Sequence, residues 1–308
     1  MSAEPAWSSR LLVVAAAVLW SLSGVVLKSP ACEGLPAESR GAALAGLRAL
    51  FAAMVLLPLV RWRAVRWSRG LIPMTFSFAA MSVLFISAMM ETTAAATIFL
   101  QYTSVVWASL LGWLILKERP ARVDGIAIAC TIAGITIILA HDFGSPLGNM
   151  LALGSGVAYA GVVVSVRALR DHDPFWLTFL NQCVCAAVLL PLLIMRPPSF
   201  SAAQIGGLAF LGAIQLALPY VLFSIGMKRV PAGEASLLLL VEPVLNPLWV
   251  LMVWGETTAW TTWVGGAVIL GGLVVRFCVA GVQPGAPARV KAPIPASDAA
   301  PQSLPAGP

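Results

Sequence analysis

Ten long apolar runs follow one another along this chain, joined by loops too short to hold a soluble domain. The first five are Leu11–Lys28, Gly41–Val60, Leu71–Met90, Thr93–Leu116 and Val123–Ala140. The second five are Leu147–Val166, Phe175–Met195, Ala203–Met227, Ala232–Trp254 and Thr261–Ala280. About 20 apolar residues at 1.5 Å rise each cross a hydrocarbon core of roughly 30 Å. Inside that core each backbone polar group must be satisfied within its own segment, which a helix does unaided. A membrane strand would need apolar and polar residues to alternate over about ten positions, and these runs are continuous. Only 10% of the 308 residues are charged, and the mean hydropathy is +0.91, outside the range of soluble domains. Pro30, Pro36, Pro73, Pro120, Pro146, Pro174, Pro197-Pro198 and Pro231 lie in or beside the breaks between runs. The expected fold is an all-α polytopic membrane protein with ten transmembrane helices.

The runs are also repeated. Leu47-Arg48 and Ala53-Met54-Val55-Leu56-Leu57-Pro58-Leu59 reappear 133 residues later as Leu180-Asn181 and Ala186-Ala187-Val188-Leu189-Leu190-Pro191-Leu192. Trp20 and Lys28 align with Tyr159 and Arg167, while Ala94, Leu100 and Glu118 align with Ala232, Leu238 and Glu256. Two five-helix units are therefore expected, residues 11–140 and 147–280, followed by a disordered Pro/Ala-rich tail over 281–308 to which no function is assigned. Five is odd, so the second unit enters the bilayer upside down relative to the first. Inverted halves meeting near the midplane are the construction of alternating-access carriers.

Charge fixes the expected orientation. With the N-terminus in the cytoplasm, fifteen of the nineteen Lys and Arg residues fall on the cytoplasmic side. Lys28, Arg40 and Arg196 fall outside, and Arg48 stays within a helix. That bias follows the positive-inside rule and predicts an N-in, C-in, multi-pass protein of the cell membrane, of the bacterial inner-membrane type. The net charge of +6 is thereby explained by topology and by contact with anionic lipid headgroups, with no nucleic-acid partner. Trp7, Trp62, Trp67 and Trp260 read as interfacial anchors. Four of the five cysteines lie in apolar helices as small hydrophobes, and Cys32 is alone on its side, so no disulfide framework is expected.

Two copies of a five-helix unit, Tyr102-Thr103-Ser104 in the fourth run, Glu242-Pro243 in the ninth, and the endings at Glu118 and Glu256 resemble EamA-type transporters of the drug/metabolite transporter superfamily. The resemblance covers about residues 11–280. It implies a carrier of a small organic metabolite, an amino acid or related compound, often an exporter, with a cavity between the halves. One departure stands out: Val105 occupies a position where the pattern often has proline, which predicts a milder helix break than at Pro243.

An ionisable group deep in a membrane helix is costly and marks a candidate site. Glu242 lies mid-run before Pro243, whose missing amide proton leaves a carbonyl one turn earlier without its donor. Glu242 is then either a binder of a cation or coupling proton, or a structural lock. Arg48 lies about eight residues inside its helix; it is either a clamp for an anionic group such as a carboxylate, or part of an internal salt bridge or interhelix hydrogen bond. The remaining cavity candidates are Trp20, Ser21, Ser23, Gln101, Tyr102, Tyr159, Gln215, Tyr220 and Asn246, polar and aromatic groups of the kind that line small-ligand pockets. Glu256 and Glu118 read as organisers of the loops that follow them, and Glu234 as a residue favoured by a helix dipole.

Competing classes are a membrane-embedded enzyme and an uncoupled channel or facilitator. His141 and His172 lie on opposite sides of the membrane, so no acid–base or metal cluster is expected. His172 within Arg170-Asp171-His172-Asp173 suggests either a metal or a helix cap. No Gly-x-x-x-x-Gly-Lys-Ser/Thr loop is present, so ATP is not a direct fuel. No cofactor is expected, and Glu242 is the one strong candidate for proton coupling.

Overall fold

The computed structural model describes residues 6–29, 37–116, 122–141, 145–169, 171–195, 200–226, 230 and 238–280. Cys32, Glu118, Glu234 and the tail 281–308 lie outside the described residues. The described residues form ten helical rods. The first is α1 (Ala6–Ser21) and α2 (Ser23–Leu27), separated by a turn at Leu22. The second is α3 (Ala37–Leu56), followed by short 3-10 turns at Leu57–Leu59 and Trp62–Ala64, and the third is α4 (Leu71–Glu91). The fourth is α5 (Ala94–Gln101) and α6 (Ser104–Leu116). Then come α7 (Arg122–His141), α8 (Pro146–Ala168) and α9 (Pro174–Met195). The eighth rod is α10 (Ala202–Phe210), a π-helical stretch (Leu211–Ala217) and α11 (Leu218–Gly226). The last two are α12 (Val241–Trp254) and α13 (Trp260–Ala280). Seven rods are long and apolar enough to cross a bilayer, and the other three contain shorter apolar helices.

Local chemistry sets the helix ends. Thr93 caps α5 by accepting from Ala96 N at 3.2 Å, and Ser145 caps α8 through Gly148 N at 3.1 Å. Ser201 and Gln204 form a reciprocal capping box on α10. Asp173 Oδ1 accepts from Phe175 N at 2.9 Å and Trp176 N at 3.1 Å, so the acid beside His172 serves as a helix cap. α12 ends on Gly255 with φ of 66°, a left-handed conformation that costs glycine little.

The packing partners reveal the symmetry. The third rod packs on the sixth and, by the repeat, the eighth on the first. The second packs on the seventh, the fourth on the ninth and the fifth on the tenth. Exchanging the halves maps this set of pairs onto itself, as a two-fold axis would. The directions are opposite. Lys28 at the end of the first rod lies with Thr92 and with Asn149 at the start of the sixth. Ser9, at the start of the first rod, instead meets Gly226 at the end of the eighth. The two halves are inverted copies.

One buried core joins them, with Leu44, Phe78, Met89, Ile98, Leu100, Ile138, Val250, Ile269 and Leu273 in a single cluster. Rods five and ten touch backbone to backbone: a Cβ on Gly265 would lie 2.6 Å from Gly134 O, and one on Gly134 would lie 2.6 Å from Gly265 O. Small residues permit such approach between membrane helices. Large apolar side chains cover the outside instead, Phe76 being 75% exposed. That surface is suited to hydrocarbon and not to water.

Candidate functional site

Helix interruptions occur part-way along two rods, at Leu22 and at Tyr102-Thr103, a turn at Leu240 immediately precedes α12, and a further rod carries the π-helical stretch. Tyr102 and Leu240 are equivalent positions of the repeat, 138 residues apart. The first-half helix is interrupted although Val105 stands where proline is often found. Proline is not needed there because other groups hold the break. Thr103 Oγ1 donates to Leu100 O at 2.7 Å. Gly156 of α8 lies so close that a Cβ would fall 3.1 Å from the carbonyls of both Leu100 and Gln101.

The second-half break answers the question posed by Pro243. The carbonyl that Pro243 cannot serve is that of Leu239, four residues earlier. The Tyr102 hydroxyl lies 3.2 Å from Leu239 O and 3.0 Å from Glu242 Oε2. A single hydroxyl proton satisfies one of these acceptors at a time, unless Glu242 is protonated and donates back. The two broken helices are therefore joined at their breaks by one side chain from each.

The chain contains three tyrosines, and one of them, Tyr102, bonds to Glu242. The Tyr220 ring meets Trp20 edge-on at 5.1 Å. Gln215, on the π-helical stretch, donates from Nε2 to Trp20 O at 3.0 Å and leaves Oε1 without a partner. π-helical insertions often mark functional positions. Arg48 is 5% exposed, and its guanidinium has no hydrogen bond or ion pair among the described residues. The internal salt bridge considered for it is not found there.

Other candidates are spent on packing. Asn246 Nδ2 donates to Ser23 Oγ at 3.0 Å, and Trp249 Nε1 donates to Ser21 Oγ at 3.0 Å. Ser21, Ser23 and Asn246 thus fasten the first rod to the ninth, and all three are buried. Gln101 is buried beside the first-half break. Trp249 had no place among the sequence candidates, because a tryptophan in an apolar helix carries no signal of its partner.

A second polar cluster lies at one end of the bundle. Lys28 Nζ meets Glu256 Oε2 at 2.8 Å and donates to Thr92 O at 2.6 Å. Glu256 Oε1 accepts from Ala94 N at 2.7 Å, and Thr92 Oγ1 donates to Asn149 Oδ1 at 3.0 Å. Glu256 therefore binds a cation and a helix N-terminus, and does more than organise its own loop. Rods one, three, four, six and nine are bolted together here.

Interrupted helices packed between two repeated halves, with polar groups beside the interruptions, fit a transporter. The chain belongs to the EamA-like transporter family, whose model matches residues 7–140 and again 146–278. It is 32% identical over 235 residues to an uncharacterized transporter of Archaeoglobus fulgidus, covering 75% of this chain and 84% of that one. It is 28% identical over 279 residues to the uncharacterized transporter YwfM of Bacillus subtilis, covering 86% and 92%. A shorter match, 36% over 130 residues and 41% of this chain, is to 42% of a probable terminal-alkyne amino-acid exporter of Streptantibioticus cattleyicolor. A crystal structure with 18% identity superimposes with a TM-score of 0.65 over 91% of this chain and all of that one, which shows the shared fold. The protein is a multi-pass membrane transporter.

Proposed function

We propose that this transporter moves a small zwitterionic metabolite, an amino acid or related compound, by alternating access, and that it works as an exporter. The observation that carries the reading is a buried guanidinium, Arg48, with no ion-pair partner among the described residues, in a bundle that also holds the Glu242 carboxyl on Tyr102. A guanidinium without a carboxylate partner suits a substrate carboxylate. Glu242 suits an ammonium group or the coupling proton. Trp20 and the three tyrosines supply an aromatic wall that orients the rest of the molecule. The amino-acid exporter among the relatives supports the substrate class and the direction.

The two five-helix units, residues 11–140 and 147–280, act as the rocking halves, with N-terminus and C-terminus in the cytoplasm. In this arrangement the Lys28–Glu256 cluster faces outward and holds that side shut. Opening requires the five rods joined there to part, so the ion pair and its two backbone bonds are released together. The breaks at Tyr102 and Leu240 let each half bend without losing a regular helix.

The test is counterflow in proteoliposomes with a panel of amino acids, their amides and their decarboxylated amines. Uptake of the zwitterions above the other two classes is expected. In Arg48→Ala, carboxylate-bearing compounds should lose about tenfold or more in apparent affinity, as for a buried charged hydrogen bond of roughly 1.5–3 kcal/mol. The corresponding amines should lose little. Equal loss for all compounds with normal folding would overturn the clamp.

A further inference from the structure

We propose that the lobe between α3 and α4 is a docking site for the phosphodiester headgroup of an anionic phospholipid. Its sequence is Arg61-Trp62-Arg63-Ala64-Val65-Arg66-Trp67-Ser68-Arg69, four arginines in nine residues with no acid among them. General basic loops orient a membrane protein. This one is built further than orientation requires.

The segment is folded against the bundle. Two 3-10 turns shape it, and its tryptophans grip α9. The Trp62 ring meets Phe179 at 5.8 Å and Trp176 at 6.3 Å, and Trp67 meets Trp176 at 5.3 Å, all edge-on. Trp176 is 3% exposed and sits in a cluster with Val60, Leu71, Met74, Leu169 and Leu177. Ser68 Oγ and His172 Nε2 are 3.3 Å apart, a further tie. The arginines are consequently presented from a fixed base.

All four arginines are exposed, and none of their guanidinium groups has an ion pair or hydrogen bond among the described residues. The nearby Asp173 is engaged in capping α9. Arg61, Trp62, Arg63 and Ala64 line an open depression of about 570 Å³. Guanidinium groups bind phosphate oxygens in pairs of hydrogen bonds, which a headgroup phosphate would complete.

The occupant follows from what adjoins the lobe. Leu57, Leu59, Ile72 and Phe76, on either side of the arginines, are exposed apolar residues. They continue the hydrocarbon-facing surface up to the arginine-bearing lobe. A lipid offers an anionic head and acyl chains in that same order, whereas a soluble anion uses only the first part. Trp62 and Trp67 are exposed at the end of the bundle beside the arginines, and tryptophan is the residue type enriched at membrane headgroups.

The experiment is lipid titration of the intact purified protein, read by native mass spectrometry, with phosphatidylglycerol and phosphatidylcholine of equal chain length. Each arginine near an anionic surface is worth roughly fivefold in binding. Preferential retention of phosphatidylglycerol is expected, with a loss of about tenfold or more in R61Q/R63Q. The tail variant Arg289→Gln with Lys291→Gln removes the same charge and should retain the lipid. The variant Trp62→Ala, which keeps every arginine, should also weaken retention by loosening the base. Equal retention of the two lipids, or equal loss in the tail variant, would overturn the proposal. Displacement of phosphatidylglycerol by millimolar inorganic phosphate would overturn it as well, since the site would then be one for free anions.

Discussion

Glu256→Gln is the most direct way to ask whether the Lys28–Glu256 cluster holds one side of the transporter closed. The substitution keeps the size of the side chain and one acceptor for Ala94 N, but removes the charge. Lys28 and Glu256 are 17% and 21% exposed as side chains, so their attraction is partly screened and contributes about 0.5–1 kcal/mol. The 2.7 Å bond from Ala94 N is charge-assisted, and making it neutral removes roughly half of an interaction worth about 1.5–3 kcal/mol. Together the closed arrangement should lose about 1.5 kcal/mol, which is roughly tenfold in population. A cysteine at Leu22, in a chain whose five native cysteines are replaced, reports on the opening through its reaction with a membrane-impermeant maleimide. The expected result is labelling about tenfold faster in Glu256→Gln. Lys28→Met should give a smaller increase, and the double variant less than the product of the two, since they share one pair. High salt should raise the wild-type rate and leave Glu256→Gln less affected. Unchanged labelling in properly folded Glu256→Gln would refute the lock, and so would strictly multiplicative effects of the two substitutions.

Five other substitutions test the remainder of the scheme. Tyr102→Phe removes the donor shared by Leu239 O and Glu242 Oε2 and should cost about 1–3 kcal/mol of stability in detergent melts; Tyr159→Phe, whose hydroxyl makes no hydrogen bond among the described residues, should cost much less. Gly265→Ala drives a Cβ onto Gly134 O and should lower stability by about 1–3 kcal/mol, while Gly271→Ala meets open space and should be neutral or slightly stabilising. Glu242→Gln should abolish proton-linked transport in proteoliposomes, and persistence of the wild-type pH dependence would remove Glu242 as the coupling group.

Much of the site was legible as a set of residues but not as a set of pairs. Burial cost alone singles out Arg48 and Glu242, because a charge in a membrane helix needs a reason to be there. The missing amide of Pro243 is also local chemistry, and it predicted an unserved carbonyl before any fold was known. That Tyr102 serves it was not legible, since the two residues are 137 positions apart. The break beside Val105 has a related cause. Proline breaks a helix from within its own sequence, whereas the break at Tyr102-Thr103 depends on Gly156 and Glu242 from other helices. Ser21, Ser23 and Asn246 looked like cavity residues because polarity in an apolar run does not say whether its partner is a ligand or another helix.

By itself the sequence determined that this chain is a bundle of apolar helices, that it is duplicated, and that an odd number of helices per copy inverts the second. These follow from hydropathy, length and counting, which act within a segment or between aligned segments. Only the tertiary structure decided that Tyr102 bonds to Glu242, that Arg48 lacks an ion-pair partner among the described residues, and that Glu256 reaches back 228 residues to Lys28. The physical reason is that every helix face here is apolar enough for lipid. Hydrophobicity therefore assigns residues to the membrane without choosing their neighbours, and close packing and the need to satisfy buried polar groups make that choice.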